Sequence, residues 1–380
     1  MSDLSVIYSV GVTLGGGGYG NTAYHAVRGI YRNGFLKRVI ATKTSALDLP
    51  VDKVRIAALP VPEGLLYHAL PHSIYADVKD SYYDWAATRH IDQCDIFHGW
   101  VHQMNRQVVR ARALGARVVT NGASSHPQTQ VRLVQEEYAR FGVSAPVMSQ
   151  RALETSSRDL ADADHIIAAS EFVVRSLVQA GFDEKKISLV PFGVNSQRFT
   201  PGIKRDKLFR VIFSGTVTLR KGIQYLLQAW DELRLKNAEL WIVGLVAPDA
   251  AKFVAQYRSR EDIIFRGFIS DPVDAYQQSS IFVFPSIEEG SALVTYEAMA
   301  CGLPVIVSEN SGSIARDGVD GYIVPIRDVA MLKERVEGLY QNVDLRHTMG
   351  QSARLRAQEF TWEKYGDGVV AAYRKLMEQK

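Results

Sequence analysis

PSIEEGSALVTYEAMACGLPVIV, Pro285–Val307, places Glu289 and Glu297 eight residues apart, astride a loop that turns into a helix. The run before it, Ser280–Pro285, is short, apolar and β-branched, the composition of a buried parallel strand. Gly290 and Ser291 suit a tight turn and a helix N-terminus. Ala292–Cys301 then reads as a helix, stopped by Gly302 and followed by Pro304 and another apolar strand. A strand–loop–helix of this kind aims backbone N–H groups at whatever sits above the strand's C-terminal end, and phosphate is the common occupant. One carboxylate lies in the loop and the other about two turns into the helix. That arrangement suits a ligand with an anionic middle and hydroxyl-bearing ends, the chemistry of a nucleotide-sugar. Either glutamate alone has a plainer explanation, because the macrodipole favours an early helical Glu by ~0.3–1 kcal/mol and a loop Glu is usually solvated. The pair, with Gly290 between them and AMACGLPVIV after them, favours the ligand.

Outward from this stretch, strand-like runs alternate with helix-like ones, the pattern of a doubly wound parallel sheet. Strands are expected near Ser5–Val10, Arg38–Thr42, Asp95–His98, Arg117–Thr120, His165–Ala169 and Lys186–Val190. A second set is expected near Phe209–Ser214, Glu239–Val243, Ile263–Arg266, Ile281–Pro285, Pro304–Ser308 and Tyr322–Val324. Between the sets, Asn195–Leu208 carries Pro201, Gly202 and four basic residues without apolar periodicity, and reads as a linker. The chain is therefore expected to form an α/β protein of two Rossmann-like domains, 1–198 and 199–360, facing a cleft. A closing helix, 361–380, packs on the second domain or returns to the first.

The totals narrow the function. At 380 residues and 47% apolar content the chain is long enough for two ordinary domains. A net charge of +3, from 44 basic and 41 acidic residues, gives no polyanion footprint, so no nucleic-acid partner is expected. No apolar run of membrane-spanning length and no leader pattern is visible, which points to a cytoplasmic protein. Peripheral attachment at the inner membrane face stays open, because a modest basic or amphipathic patch would not show in these totals. Cys94 and Cys301 have no metal-ligand spacing and read as small buried residues, so no metal is expected.

Gly15–Gly20, GGGGYG, satisfies G-x-G-x-x-G through Gly15, Gly17 and Gly20 after a strand and before a helix. A dinucleotide site would also need a carboxylate at the end of the second strand, where Val39–Thr44 has none; Asp48 is the nearest. No Lys follows Gly20, which removes a Walker loop. What survives is a loop whose backbone an anion or sugar can approach closely, or a flexible turn. FSGTVTLRKG, Phe213–Gly222, sets Arg220 and Lys221 before the helix Ile223–Asp231. A helix start disfavours cations. Two of them there cost a little stability unless an anion binds between them, which points to a phosphate site.

With these residues assembled, the chain resembles glycosyltransferase family 4, the retaining nucleotide-sugar transferases of the GT-B fold. The resemblance rests on the Glu289–Glu297 pair with its EAMACGLPVIVSENSG sequel and on SGTVTLRKG. It rests also on VPFGVNSQRF, DGVDGYIVP and Gly17-Gly18, and spans residues 15 to 330. It implies a nucleotide-sugar donor lying mainly on the second domain and no cofactor. Glu297 would take the ribose hydroxyls, and Arg220 and Lys221 the diphosphate. Glu289 would hold hydroxyls of the transferred hexose, helped by N–H groups of Gly290, Ser291, Ala292 and Leu293. The base would lie against backbone near Gly267 and Phe268, with Gly215 and Thr216 in the first-strand turn. Gly17 and Gly18 would close over the diphosphate.

Two departures stand out. Where the family often has an Arg after the first-strand Gly, this chain has Thr216, so Arg220 must supply the second cation. Where many members place a His near the sugar, VVTNGASSH has Asn121 and Gly122, with His126 a few residues on and His98 as its competitor. GASSH followed by Gln128–Gln130 and Glu136-Glu137 looks like a subset of the family in which His126 stands in. The implied reaction is a metal-independent transfer, with retention, to a hydroxyl of a glycan, lipid-linked or small-molecule acceptor. Its rivals are an epimerase or hydrolase on the same fold, a binding protein without turnover, and an NAD-dependent oxidoreductase, which lacks its carboxylate.

Overall fold

The computed structural model describes residues 4–46, 48–60, 72–145 and 148–378. The chain divides into two compact units. The first comprises residues 1–128, 147–190 and 362–380, and the second 129–146 and 191–361.

The first unit is built on a parallel sheet of β1 (Val6–Leu14), β2 (Leu36–Thr44), β3 (Val54–Ile56), β4 (Ile96–Trp100), β5 (Arg117–Gly122), β6 (His165–Ala168) and β7 (Ile187–Leu189), in the order 3-2-1-4-5-6-7. Its central strands are mostly apolar because helices cover both faces, and β4 and β6 are buried at every residue, their histidines included. The strand β1 runs past the expected Val10, with its register against β2 shifting between Val10 and Thr13. The edge strand β3, three half-exposed residues, was not expected.

The helix Trp362–Glu378 belongs to this first unit. It lies against the helix Tyr19–Arg32 where two glycines let the backbones touch: a Cβ on Gly29 would sit 2.5 Å from Gly366 Cα. Trp362 stacks on His25 at 4.2 Å between centroids, and Tyr373 reaches through to His98 Nδ1 at 2.5 Å. Gly29→Val is therefore expected to cost about 1–3 kcal/mol by overpacking, read as a lower melting temperature with increased protease cleavage near residue 362. An unchanged melt would contradict this close approach.

The second unit's parallel sheet contains β8 (Phe209–Ser214), β9 (Ala238–Val243), β10 (Ile263–Gly267), β11 (Ile281–Phe284), β12 (Val305–Ser308) and β13 (Gly321–Val324), in the order 10-9-8-11-12-13. Each expected strand of this set is present within a residue or two of its place. Residues 129–146 join this unit although the sequence reading placed all of 1–198 together. Most of the helix Pro127–Arg140 is carried there by buried polar contacts. The carboxylate of Glu137, fully buried, accepts from Arg327 Nε (2.7 Å), Gln224 Nε2 (2.7 Å) and Tyr225 Oη (2.6 Å). Tyr138 donates to Asp249 (2.7 Å), and its ring packs with Val134 and Leu219. Arg327→Ala would strand a buried carboxylate, so a loss on the order of 3 kcal/mol is expected in chemical denaturation. Retention of wild-type stability would show that the two neutral donors suffice.

Candidate functional site

The site of the second unit is made where β8, β9 and β11 end. Gly215, after β8, has φ 133°, and a Cβ there would meet Lys221 Nζ at 3.1 Å. The chain then makes a 3₁₀ turn, Leu219–Lys221, capped by Thr218, whose hydroxyl accepts from Lys221 N–H (3.3 Å). Gly222 closes it in the left-handed region (φ 72°), where a Cβ would overlap the carbonyl of Pro285. A glycine is required there for the turn to lie against the end of β11. Ile287 N–H donates to Arg220 O (2.8 Å) and stitches the two segments together, while Leu219 N–H ties the turn to Asp249 Oδ2 (2.9 Å) on the helix Pro248–Ala255.

This stitching brings the expected charges to one point. Arg220 Nη1 lies 2.7 Å from Glu288 O, 3.2 Å from Glu288 Oε2 and 3.2 Å from Glu289 Oε1. Lys221 Nζ lies 3.4 Å from the same oxygen of Glu289. Arg220 and Lys221 thus occupy a separate turn before the helix Ile223–Leu233, and their charge is offset by two carboxylates. The cost anticipated for two cations at a helix start is relieved by Glu288 and Glu289. Glu288 escaped the sequence reading; the doublet with Glu289 was its only signal. It is fully buried, and Gln130 Nε2 donates to the same Oε2 at 3.3 Å.

Glu289 Oε1 is buried, and its contacts with Arg220 and Lys221 are ionic without hydrogen-bond geometry. A buried oxygen in this condition ordinarily has a partner of its own. The loop carrying it is fixed from beneath by Asn310, whose Nδ2 donates to Ile287 O (2.8 Å) and whose carbonyl accepts from Glu289 N–H (3.1 Å).

The four backbone donors expected at the next turn are not equivalent. Ala292 N–H is already given to Ser311 O (3.1 Å), so it is removed from the set offered to a ligand. The hydroxyl of Ser291 is held by Tyr296 (2.8 Å) and Gly312 O (3.0 Å), and Gly312 crosses tightly over Gly290. The helix Leu293–Ala300 has no capping side chain, which leaves Leu293 N–H among the orphan donors of a helix start. Glu297, half-buried one turn on, accepts from Tyr276 Oη (3.1 Å). Burial pushes its pKa up to about 7, against the Tyr276 bond and the charge of Arg198.

At the end of β10, Gly267 (φ 63°) has its carbonyl taken by Gly244 N–H (2.8 Å), and Phe268 is 72% exposed. Thr216 is exposed beside Gly215. In the first unit, Gly20 is a packing requirement, since a Cβ there would overlap Thr13 O. Gly17 and Gly18 have open space around them, and Gly18 (φ 58°) precedes the helix Tyr19–Arg32.

Neither histidine has the surroundings of a reacting group within its own unit. His98 is fully buried between Tyr8 and Tyr373, and burial holds its pKa down at about 3. The His126 ring lies against Phe182 (5.7 Å between centroids), the residue's backbone N–H donates to Ser176 Oγ (2.9 Å), and burial lowers the pKa of the imidazole. Both read as packed neutral imidazoles. Cys94 and Cys301 are buried free thiols, raised by burial to about 11 and about 12.

Two parallel sheets of this order, with a cation pair and two glutamates at the strand ends of the second, define the GT-B architecture. Residues 16–198 match the description Glycosyltransferase Family 4, and residues 209–342 match Glycosyl transferases group 1. The chain belongs to glycosyltransferase family 4. Among solved structures it is similar in fold to Anabaena HepE (TM-score 0.68, 15% identity, covering 98% of this chain and 99% of that one). The same holds for the lipopolysaccharide outer core galactosyltransferase WaaB (TM-score 0.70, 14% identity, 98% and 99%). Among curated relatives, Staphylococcus aureus CapM, a capsular polysaccharide biosynthesis glycosyltransferase, is 26% identical over 53% of this chain and 60% of its own length. A D-inositol 3-phosphate glycosyltransferase of Geodermatophilus obscurus is 30% identical over 58% of this chain and 54% of its own length. The chain thus spans little more than half the length of these relatives. Among the described residues, no helix is long and apolar enough to cross a membrane.

Proposed function

We propose that this protein transfers a hexose-type sugar from a nucleoside diphosphate donor to an acceptor hydroxyl, with retention and without a metal ion. The observation that carries the reading is the buried Glu289 oxygen, 3.2 and 3.4 Å from two cations and without a hydrogen bond among the described residues. A sugar hydroxyl supplies the missing donor, while a diphosphate beside the sugar takes the charge of Arg220 and Lys221. HepE, similar in fold, has been solved with UDP and glucose, which favours a donor of this class.

Breaking the sugar–phosphate bond builds positive charge on the anomeric carbon and negative charge on the departing diphosphate. Lys221 and Arg220 face the latter, with the uncapped helix start at Leu293 adding its dipole. Glu289 positions the sugar and lends its negative charge to the anomeric side. In a retaining course the acceptor hydroxyl attacks from the leaving-group side and passes its proton to a phosphate oxygen. Glu297 accepts the ribose hydroxyls, and exposed Phe268 offers a face for the base. The acceptor is a glycan, lipid-linked or small-molecule hydroxyl.

A thermal-shift screen with nucleoside diphosphates and their sugars tests the donor class. A ligand at 100 times its dissociation constant adds ~2.7 kcal/mol, so a cognate donor raises the melting temperature measurably. No shift with any nucleoside diphosphate would count against the reading. Donor consumption without an acceptor would favour hydrolysis or epimerisation on the same site.

A further inference from the structure

The second unit carries a cavity of about 1110 Å³ at the opposite end of its sheet from Glu289. Phe209 begins β8, Ser280 precedes β11, Pro304 precedes β12 and Asn237 precedes β9, and all four line it. At roughly 3.3 Å per residue, the length of β8 sets this cavity about 20 Å from the donor site. It is separate from the transfer chemistry.

Its lining is of two kinds. Phe209, Leu303, Pro304, Val343 and Leu355 give an apolar wall, and Val343 and Leu355 are 61% and 65% exposed. Around them stand Lys204, Lys207, Lys236, Arg346 and Arg354, against one carboxylate, Asp206, which is shared between Arg210 (2.9 Å) and Lys204 (3.5 Å). Arg346 donates through Nη1 to the carbonyls of Leu339 (2.5 Å) and Tyr340 (3.4 Å), and Arg354 to those of Phe199, Ala300 and Ser196. The bonds to Leu339, Tyr340 and Ala300 cap helix ends, which accounts for where the guanidinium groups sit. They do not neutralise them: among the described residues neither arginine has a carboxylate within ion-pair distance. Burial accordingly depresses Arg346 and Arg354 below their ordinary values. Half-buried positive charge without counter-charge is costly, and an anion entering the cavity would relieve it. The volume exceeds what a bare phosphate fills, and the apolar wall needs a hydrocarbon or aromatic body to cover it.

We propose that this cavity binds an anionic amphiphile, its phosphate among Lys204, Lys207, Lys236 and Arg346 and its apolar body against Phe209, Leu303 and Leu355. The ligand is either a bilayer lipid or a dissolved amphiphilic phosphate, and both present the same chemistry to these residues.

Calorimetry with decyl phosphate, inorganic phosphate and excess UDP, together with sedimentation on phosphatidylglycerol and phosphatidylcholine vesicles, tests the site. The full chain is compared with K207Q/K236Q, whose side chains are exposed and whose folding is safe, and with R346Q, checked by its melting curve. Decyl phosphate is expected to bind at least tenfold more tightly than inorganic phosphate, to be indifferent to UDP, and to weaken at least tenfold in K207Q/K236Q. Co-sedimentation with phosphatidylglycerol that the double variant loses assigns the bilayer source; decyl phosphate binding without it assigns the dissolved one. The proposal is overturned if decyl phosphate does not bind, if UDP displaces it, or if both variants bind like the wild type.

Discussion

Lys221→Ala is expected to lower turnover by ~100-fold or more, the loss that removal of one transition-state donor produces, with the melting temperature close to wild type. Lys221 touches Glu289 through charge alone, so little of the fold depends on it. Arg220→Ala should lower turnover comparably and also destabilise the protein. Its guanidinium holds both the carbonyl and the carboxylate of fully buried Glu288, and breaking a buried pair typically costs about 3–5 kcal/mol. The two variants therefore separate electrostatic catalysis from loop support. Steady-state kinetics on the Lys221 variant carry the decision: wild-type turnover there would remove the diphosphate role from this turn.

Glu297→Ala is expected to weaken binding of the nucleoside diphosphate by about 10–100-fold, the loss of one or two charge-assisted hydrogen bonds at roughly 1.5–3 kcal/mol. Glu297 has a pKa raised to about 7 by burial, so near neutrality a large share of the ligand-free protein holds it protonated. The carboxylate form accepts from two hydroxyl groups, while the acid must spend its own proton. Affinity should accordingly climb as the pH rises through about 7, with a proton released on binding, and Glu297→Gln should flatten that dependence. Calorimetry between pH 6 and pH 8 measures both at once. A wild-type affinity that falls over this window would reverse the assigned role of the carboxylate.

Much of the fold was legible because parallel strands covered on both faces must be continuous apolar runs. Phe209–Ser214, such a run but for ion-paired Arg210 and the closing Ser214, is legible to the residue. The edge strand Val54–Ile56 escaped because half-exposed V-R-I carries neither length nor alternation. Glu289 and Glu297 were legible as a pair, but Glu288 was not, since neighbouring identical residues differ only in which way the loop turns them. Spent backbone donors are likewise invisible: nothing in GSAL says that Ala292 N–H faces Ser311 O. The transfer of residues 129–146 to the second unit depends on Glu137 meeting Arg327, 190 positions away, and no local pattern encodes such a partner. The histidines are ambiguous for a related reason. An imidazole expected at a strand end looks the same in sequence whether it faces a ligand or, as His98 does from the middle of β4, an internal tyrosine.

The docking of Trp362–Glu378 against Tyr19–Arg32 bears on how the protein is made. The first sheet emerges from the ribosome early, but its covering helix follows the whole second unit in the chain. Until residue 366 arrives, the face around Gly29 is bare and His98 has no Tyr373 to meet. Folding in strict N-to-C order is thus denied to this molecule. The earlier half waits unfinished for the later one, and a nascent chain halted before residue 362 should be held by chaperones longer than its length alone would require.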